Sequence, residues 1–132
     1  MSNDLYTAVV TSTPGAARSD DGALAVDVSE PTALDGAGQG TNPEQLMAAA
    51  LGSCLLESLR IAVSTTGGSV DGAQVETRVT LAKGDPGYTA RYALRVTLPD
   101  AGTDASAVLE QALALCPFTK TVDDAALDVQ LA

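Results

Sequence analysis

The sequence predicts an α+β fold in which an antiparallel β-sheet covers a long, buried central helix. Three observations support this prediction. Residues 43 to about 65 form an apolar run that begins with helix-capping residues and stops at Gly67-Gly68. Residues 70–82 and 88–98 both alternate between apolar and polar side chains, as half-buried strands do. Hairpins and helices follow one another in the order β-β-α-β-β-α-β, which is typical of a single α+β domain over residues 1–132.

Two strands are expected before the helix. Residues 5–12 are rich in β-branched and aromatic side chains, and residues 23–28 alternate, so each segment is predicted to be a strand. Asp21-Gly22 is a hairpin signal between them. Pro14-Gly15 marks a turn, and residues 31–40 form a loop with three glycines that leads to the helix.

The central helix has a well-marked start. Asn42 is a favourable cap, Pro43 suits the first helical position, and Gln45 is placed to bond back to the cap. The following residues are almost all apolar or small, so the helix is expected to be buried on most sides. Its length is about 33 Å. One small sheet offers too little cover for such a helix, so we expect a homodimer in which two helices share a core.

The second half of the chain alternates strands and helices. Residues 70–82 and 88–98 form an antiparallel pair around a KGDPG turn. Residues 104–115 form an amphipathic helix, which Cys116-Pro117 interrupts because proline is disfavoured inside a helix. A short helical restart is predicted over residues 118–122 and a closing strand over 127–131.

Composition excludes several functions. The net charge of −10 disfavours binding to nucleic acid or to an anionic membrane surface. Charged and hydroxyl residues interrupt the apolar run, which disfavours a membrane span, and the N-terminus lacks a signal-peptide pattern. The expected location is therefore cytoplasmic. Histidine is absent, which excludes Ser-His-Asp triads, Cys-His dyads and histidine-ligated metals. We expect no metal and no cofactor, since no glycine-rich phosphate loop is present either.

The remaining chemistry rests on the two cysteines. Cys54 lies in the central helix, and Cys116 ends an amphipathic helix whose apolar face must pack on something. The central helix is the largest apolar surface available, so the amphipathic helix is expected to pack on it. This packing would allow the two thiols to come into contact. The residues alone leave open whether they are a reactive pair or two ordinary buried cysteines.

Several motifs carry a family resemblance. The hexapeptide TNPEQL at 41–46, a small-residue run ending at Cys54 and the later Cys116-Pro117 resemble the OsmC/Ohr family of thiol peroxidases. The segments LYTAVVTST and SDDGALAVDVSEP are most similar to its organic hydroperoxide resistance (Ohr) branch. The segments MAAALGSC and CPFTKTV depart from that branch towards the wider OsmC-like group.

The resemblance implies a fold and a mechanism. The fold would be an intertwined homodimer with two long central helices enclosed by sheet and active sites at the subunit interface. Cys54 would be the peroxidatic cysteine that reduces organic, fatty-acid-type hydroperoxides, and Cys116 would resolve its sulfenic acid as a disulfide. A lipoylated protein or another dithiol would reduce that disulfide. Apolar side chains would line the channel for the substrate: Leu34, Leu46, Met47, Leu51, Leu55, Leu115 and Phe118.

The same resemblance assigns an ion pair. Glu44 would hold a catalytic arginine, and Arg18 is the arginine nearest the expected place, although the chain is shortened there. Glu44 and Cys54 are ten residues apart, about 15 Å along a straight helix. Either the helix breaks near residues 50–52 or Glu44 serves the Cys54 of the partner subunit, and we predict the second arrangement.

Two other functions remain open. The chain could form a non-enzymatic OsmC-like dimer that binds an apolar ligand or senses oxidants, or a purely structural dimer with inert thiols. Turnover of an organic hydroperoxide that depends on Cys54 separates the enzyme from both.

Overall fold

The computed structural model describes residues 3–132, which divide into two compact units at residues 46 and 47. The first unit contains a three-stranded antiparallel sheet in the order β1-β2-β3, formed by Val10–Thr13, Ala16–Ser19 and Ala25–Asp27. A short 3₁₀ helix, Thr32–Leu34, follows in the glycine-containing loop. The single domain expected over residues 1–132 stays a prediction.

The first sheet corrects the expected hairpin. The turn at Pro14-Gly15 already closes a hairpin, in which Ser12 of β1 pairs with Ala17 of β2. Asp21-Gly22 lies in the next connection, between β2 and β3. Strand β2 was not predicted from the sequence because its four residues, AARS, include no β-branched or aromatic side chain. The ladders on both of its sides impose the strand.

The first predicted strand is also shorter than expected. Its ladder begins at Val10, and residues 5–9 have no regular secondary structure. Leu5 is 98% exposed, and Tyr6 is 81% exposed. A strand requires a neighbour with which to exchange hydrogen bonds. The Val9 carbonyl accepts one from the Asp20 N–H at 3.1 Å, and the paired ladder begins at Val10.

Helix α1, Pro43–Val63, is continuous. Asn42 caps it, because its Oδ1 accepts the Gln45 backbone N–H at 2.8 Å. The Gln45 side chain accepts a hydrogen bond from the Thr41 hydroxyl at 2.7 Å instead of returning to the cap. The helix ends two residues earlier than expected. The hydroxyls of the next three residues donate hydrogen bonds to its last carbonyls: Ser64, Thr65 and Thr66.

The second unit is a mixed sheet with two further helices. Strands β4 (Gln74–Lys83) and β5 (Tyr88–Thr97) pair antiparallel along their whole length. Strand β6 (Leu127–Leu131) pairs with β5 in parallel, which corrects the fully antiparallel sheet that was expected. The parallel pairing is possible because helices α2 (Ala105–Leu115) and α3 (Pro117–Thr121) carry the chain back to the start of the sheet.

One side of α1 lies in the core of this unit. Leu51, Leu55 and Leu59 are fully buried in one apolar cluster with side chains of β5 and α2. On the opposite side of α1 a stripe at four-residue spacing is exposed in the single chain: Ala49, Ser53, Glu57 and Ile61. A stripe with this spacing lies along one helix face.

Among the described residues, α1 is the one helix long and apolar enough to cross a membrane by length and composition. The core helix of a soluble protein passes the same test. The leucine side of α1 is buried against β5 and α2, as the side of a core helix is.

Candidate functional site

The two cysteines meet at the contact between α1 and the end of α2. Their sulfur atoms lie 3.6 Å apart, and both thiols are free. Cys54 is half-buried in the middle of α1, whereas Cys116 is fully buried. The apolar face of α2, which includes Val108 and Ala112, packs in the same core as the leucine side of α1. This packing brings Cys116, the C-cap of α2, to the middle of α1.

Pro117 sets the backbone around Cys116. Cys116 has extended backbone angles, φ −75° and ψ 112°, and it ends α2 and begins α3. Its N–H still donates to the Ala112 carbonyl at 2.9 Å, but the chain then changes direction. Pro117 occupies the first position of α3, where its missing N–H costs nothing. The first turn of α3 therefore starts directly beside the two sulfur atoms.

The surroundings shift the two thiol pKa values in opposite directions. Burial raises the pKa of Cys54, the neighbouring Cys116 adds to the rise, and the Phe118 amide opposes it. Burial also acts to raise the pKa of Cys116. The hydroxyl and amide of Thr119, with the Cys54 thiol and the Phe118 amide, outweigh burial and lower that pKa. The Cys116 side chain closes no capping hydrogen bond on α3, so the amides act on it as nearby dipoles.

No cation is among the groups that shift the pKa of Cys54. Within residues 47–132, Arg60, Arg78 and Arg95 each form an ion pair with an acidic side chain, and Lys120 donates to the Ala114 carbonyl. The other two bases of this unit are Lys83 and Arg91. None of the six is among the causes of the Cys54 pKa shift, so residues 47–132 bring the thiols together without a positive charge that acts on Cys54.

The predicted ion pair between Glu44 and Arg18 is not formed in the single chain. Arg18 is exposed on β2, and no ion pair joins it to another described residue. Glu44 has one carboxylate oxygen, Oε1, that is buried without a hydrogen-bond partner among residues 3–132. Because α1 is continuous, the option of a helix break near residues 50–52 is excluded.

The predicted substrate-binding residues differ in exposure. Leu34, Leu46 and Met47 are half-buried. Phe118 is 47% exposed and Leu115 is 43% exposed, on either side of Cys116-Pro117. The other two candidates are fully buried in the core of the second unit, so in the single chain they cannot line a channel; they are Leu51 and Leu55.

A groove between α1 and β4 was not predicted from the sequence. It has a volume of about 300 Å³, and small side chains of α1 line it opposite Val75 and Thr77. The Thr77 Oγ1 atom is buried and has no hydrogen-bond partner among the described residues. Gly52 lies so close that a Cβ atom there would come within 2.9 Å of that oxygen.

Two buried hydroxyls beside the cysteines were not predicted from the sequence either. Ser58 follows Cys54 by four residues, and its Oγ donates to the Cys54 carbonyl at 3.1 Å. Thr119 follows Cys116 by three residues, and its Oγ1 donates to the Cys116 carbonyl at 3.5 Å. Their spacing to the cysteines was visible in the sequence. The residues described form no cluster of three or more His, Cys, Asp or Glu suited to a metal ion.

Comparison with known proteins identifies relatives over nearly the whole chain. A family model described as OsmC-like protein matches residues 36–132. The organic hydroperoxide resistance protein OhrB of Bacillus subtilis is 34% identical over 122 residues, which cover 88% of this chain and 89% of that protein. The organic hydroperoxide resistance protein-like 2 of Staphylococcus epidermidis is 31% identical over 138 residues, which cover 99% of this chain and 96% of that protein.

Solved structures agree in fold. The crystal structure of Bacillus subtilis OhrB has a TM-score of 0.77 at 32% identity and covers 97% of this chain and 98% of that chain. An organic hydroperoxide resistance protein OsmC from Legionella pneumophila has a TM-score of 0.82 at 26% identity, over 98% and 97% of the two chains. With the family model matching most of its length, the chain belongs to the OsmC-like family, among relatives named organic hydroperoxide resistance proteins.

Proposed function

We propose that the protein is a cysteine-based peroxidase that reduces organic hydroperoxides of the fatty-acid type to alcohols. Cys54 is the peroxidatic cysteine and Cys116 is the resolving cysteine. The observation that carries the proposal is the distance of 3.6 Å between their sulfur atoms, with Cys54 the more accessible of the two.

The proposed chemistry has three steps. The Cys54 thiolate attacks the terminal peroxide oxygen, the O–O bond breaks, and the alkoxide takes up a proton to leave as the alcohol. The Cys116 thiolate then attacks the sulfur of the Cys54 sulfenic acid, an S–S bond forms, and the hydroxyl group leaves with a proton as water. An external dithiol, for which a lipoylated protein is the expected carrier, reduces the disulfide by exchange and becomes a cyclic disulfide itself.

The distance between the thiols supports the second step. A disulfide requires an S–S separation of about 2.05 Å, so the sulfur atoms must approach by about 1.5 Å from their present 3.6 Å. Rotation of side chains accomplishes a movement of this size. The burial of Cys116 also favours its role as resolver, because a fully buried thiol is poorly placed to meet a bulky peroxide first.

Three further parts of the proposal concern the surroundings of the thiols. Two copies of the chain form a homodimer, in which Glu44 serves the site of the partner subunit. Arg18 supplies the cation that stabilises the Cys54 thiolate, and the unpartnered Oε1 of Glu44 supports a cationic partner for that carboxylate. The substrate tail binds near Phe118, Met47, Leu46 and Leu34, of which Phe118 is the most exposed.

The test is turnover of cumene hydroperoxide with dihydrolipoamide as the reductant. We expect turnover by the native protein and none by Cys54→Ser. In the absence of reductant, Cys116→Ser should consume one equivalent of peroxide and leave a sulfenic acid trappable with dimedone. Mass spectrometry under denaturing conditions after one equivalent of peroxide should show the native protein lighter by two hydrogen atoms. Turnover that persists in Cys54→Ser would refute the assignment.

A non-enzymatic OsmC-like protein that binds an apolar ligand is the second candidate. The observation in its favour is that burial raises the pKa of Cys54 with no cation among the causes, which leaves less thiolate at neutral pH. This candidate predicts that Cys54 reacts with cumene hydroperoxide no faster than a free thiol of the same pKa, and that native protein and Cys54→Ser bind the ligand equally.

A further inference from the structure

The apolar core of the described residues contains two buried polar side chains, Ser58 and Thr119, which are 5% and 3% exposed. Each donates a hydrogen bond to the carbonyl of one cysteine. Burying a hydroxyl without a good hydrogen-bond partner costs folding free energy, so the quality of each hydrogen bond shows how well each hydroxyl is satisfied.

The two hydroxyls differ in the quality of their bonds. Ser58 donates at 3.1 Å to the carbonyl four residues earlier, which is ordinary back-bonding within a helix. Thr119 donates at 3.5 Å, at the outer limit of a hydrogen bond, which leaves its proton only weakly held. Thr119 is also in α3, whose first turn begins directly after the change of backbone direction at Cys116.

We propose that Thr119 is a positioning residue for Cys116, and that its hydroxyl turns from the Cys116 carbonyl to the Cys116 sulfur when that sulfur becomes the attacking thiolate. The proposal rests on the proposed function, because it assigns Thr119 to the resolving step of that reaction. A threonine hydroxyl reorients by rotation about one bond.

Two features of the Thr119 side chain agree with this role. The Thr119 side chain is the largest of the influences that lower the pKa of Cys116 against the effect of burial. In addition, a thiolate that is fully buried needs a hydrogen-bond donor, and the hydroxyl of Thr119 is a buried donor three residues along the chain. Its effect falls on disulfide formation, during which the S–O bond of the Cys54 sulfenic acid breaks and water leaves, and not on the earlier attack on peroxide.

The chain offers a matched control in Thr121. It is also on α3, and its hydroxyl donates to the carbonyl three residues earlier, that of Phe118, at 2.8 Å. Unlike Thr119, it is exposed. Thr119→Val removes the hydroxyl with little change of shape, Thr119→Ser restores it, and Thr121→Val makes the same change at the control position.

The first measurement is the thiolate absorbance at 240 nm as a function of pH, in a Cys54→Ser background. We expect Thr119→Val to raise the pKa of Cys116 and Thr119→Ser and Thr121→Val to leave it near the parent value. Far-ultraviolet circular dichroism establishes that each variant is folded, and Thr119→Ala replaces Thr119→Val if the valine variant does not fold.

The second measurement is stopped-flow kinetics with one equivalent of cumene hydroperoxide. We expect Thr119→Val to slow disulfide formation by about tenfold, the effect of one hydrogen bond to a charged group, while sulfenic acid formation keeps its rate and Thr119→Ser recovers. Disulfide formation by Thr119→Val at the native rate, with an unchanged pKa for Cys116, would overturn the role of Thr119 alone. A native protein that forms no disulfide would overturn the proposed function as well.

Discussion

Oxidation of the two thiols should make the folded protein more stable, by an amount set by the chain between them. Cys54 and Cys116 are separated by 62 residues. Closing a loop of that length removes conformational entropy from the unfolded chain and stabilises the folded protein by about 4 kcal/mol at 25 °C. Strain that the disulfide imposes on the folded protein would reduce this value. The sulfur atoms already lie 3.6 Å apart, so the folded chain needs little rearrangement.

The assay is equilibrium unfolding in urea of fully reduced protein and of protein oxidised with one equivalent of hydroperoxide, at the same protein concentration. We expect the midpoint to move to higher urea after oxidation and to return after treatment with a dithiol. Cys116→Ser provides the control, because oxidation there leaves no disulfide and should leave the midpoint nearly unchanged. If the oxidised native protein unfolds at the same or a lower urea concentration, then either no disulfide forms or its formation distorts the fold, and the reasoning is refuted.

Three other substitutions distinguish residues that determine stability from residues that determine the rate of reaction with hydroperoxide. Leu59→Ala removes a fully buried side chain and should cost about 2–5 kcal/mol of unfolding free energy, measured by urea titration, without preventing disulfide formation. Arg18→Ala should greatly slow the reaction with hydroperoxide while changing stability by less than about 0.5 kcal/mol, because Arg18 is exposed; an unchanged rate would remove it from the mechanism. Glu44→Gln should slow the same reaction less than Arg18→Ala does, and a larger loss of rate than in Arg18→Ala would contradict the supporting role of Glu44.

The sequence was most informative where local signals and packing agree. The cap at Asn42, the interruption at Cys116-Pro117 and the closing strand 127–131 were all predictable, because each depends on residue types with strong local preferences. Strand β2 was not predictable, since the ladders on both sides decide its conformation. The parallel pairing of β6 was missed for a similar reason, because it depends on where two helices return the chain.

The candidate site shows the same division. A route to contact between Cys54 and Cys116 followed from the amphipathic face of α2, and their sulfur atoms are 3.6 Å apart. The buried hydroxyl of Thr119 was not singled out, because a threonine three residues after a cysteine has no distinctive pattern until burial is known. The roles of Arg18 and Glu44 came from family resemblance alone and stay predictions.

The two proposed chemical steps have separate structural requirements, and pH can separate them. Burial raises the pKa of Cys54. In Arg18→Ala the rate of sulfenic acid formation should therefore rise with pH to a plateau, and the pH of half-maximal rate should lie above the pKa of an ordinary thiol. The pKa of Cys116 is lowered, so disulfide formation should already be fast below that pH. Stopped-flow measurement of both steps from pH 6 to 10 in Arg18→Ala tests this order. A single midpoint shared by both steps would show that one ionisation controls the pair, and the division of roles between Cys54 and Cys116 would then be wrong.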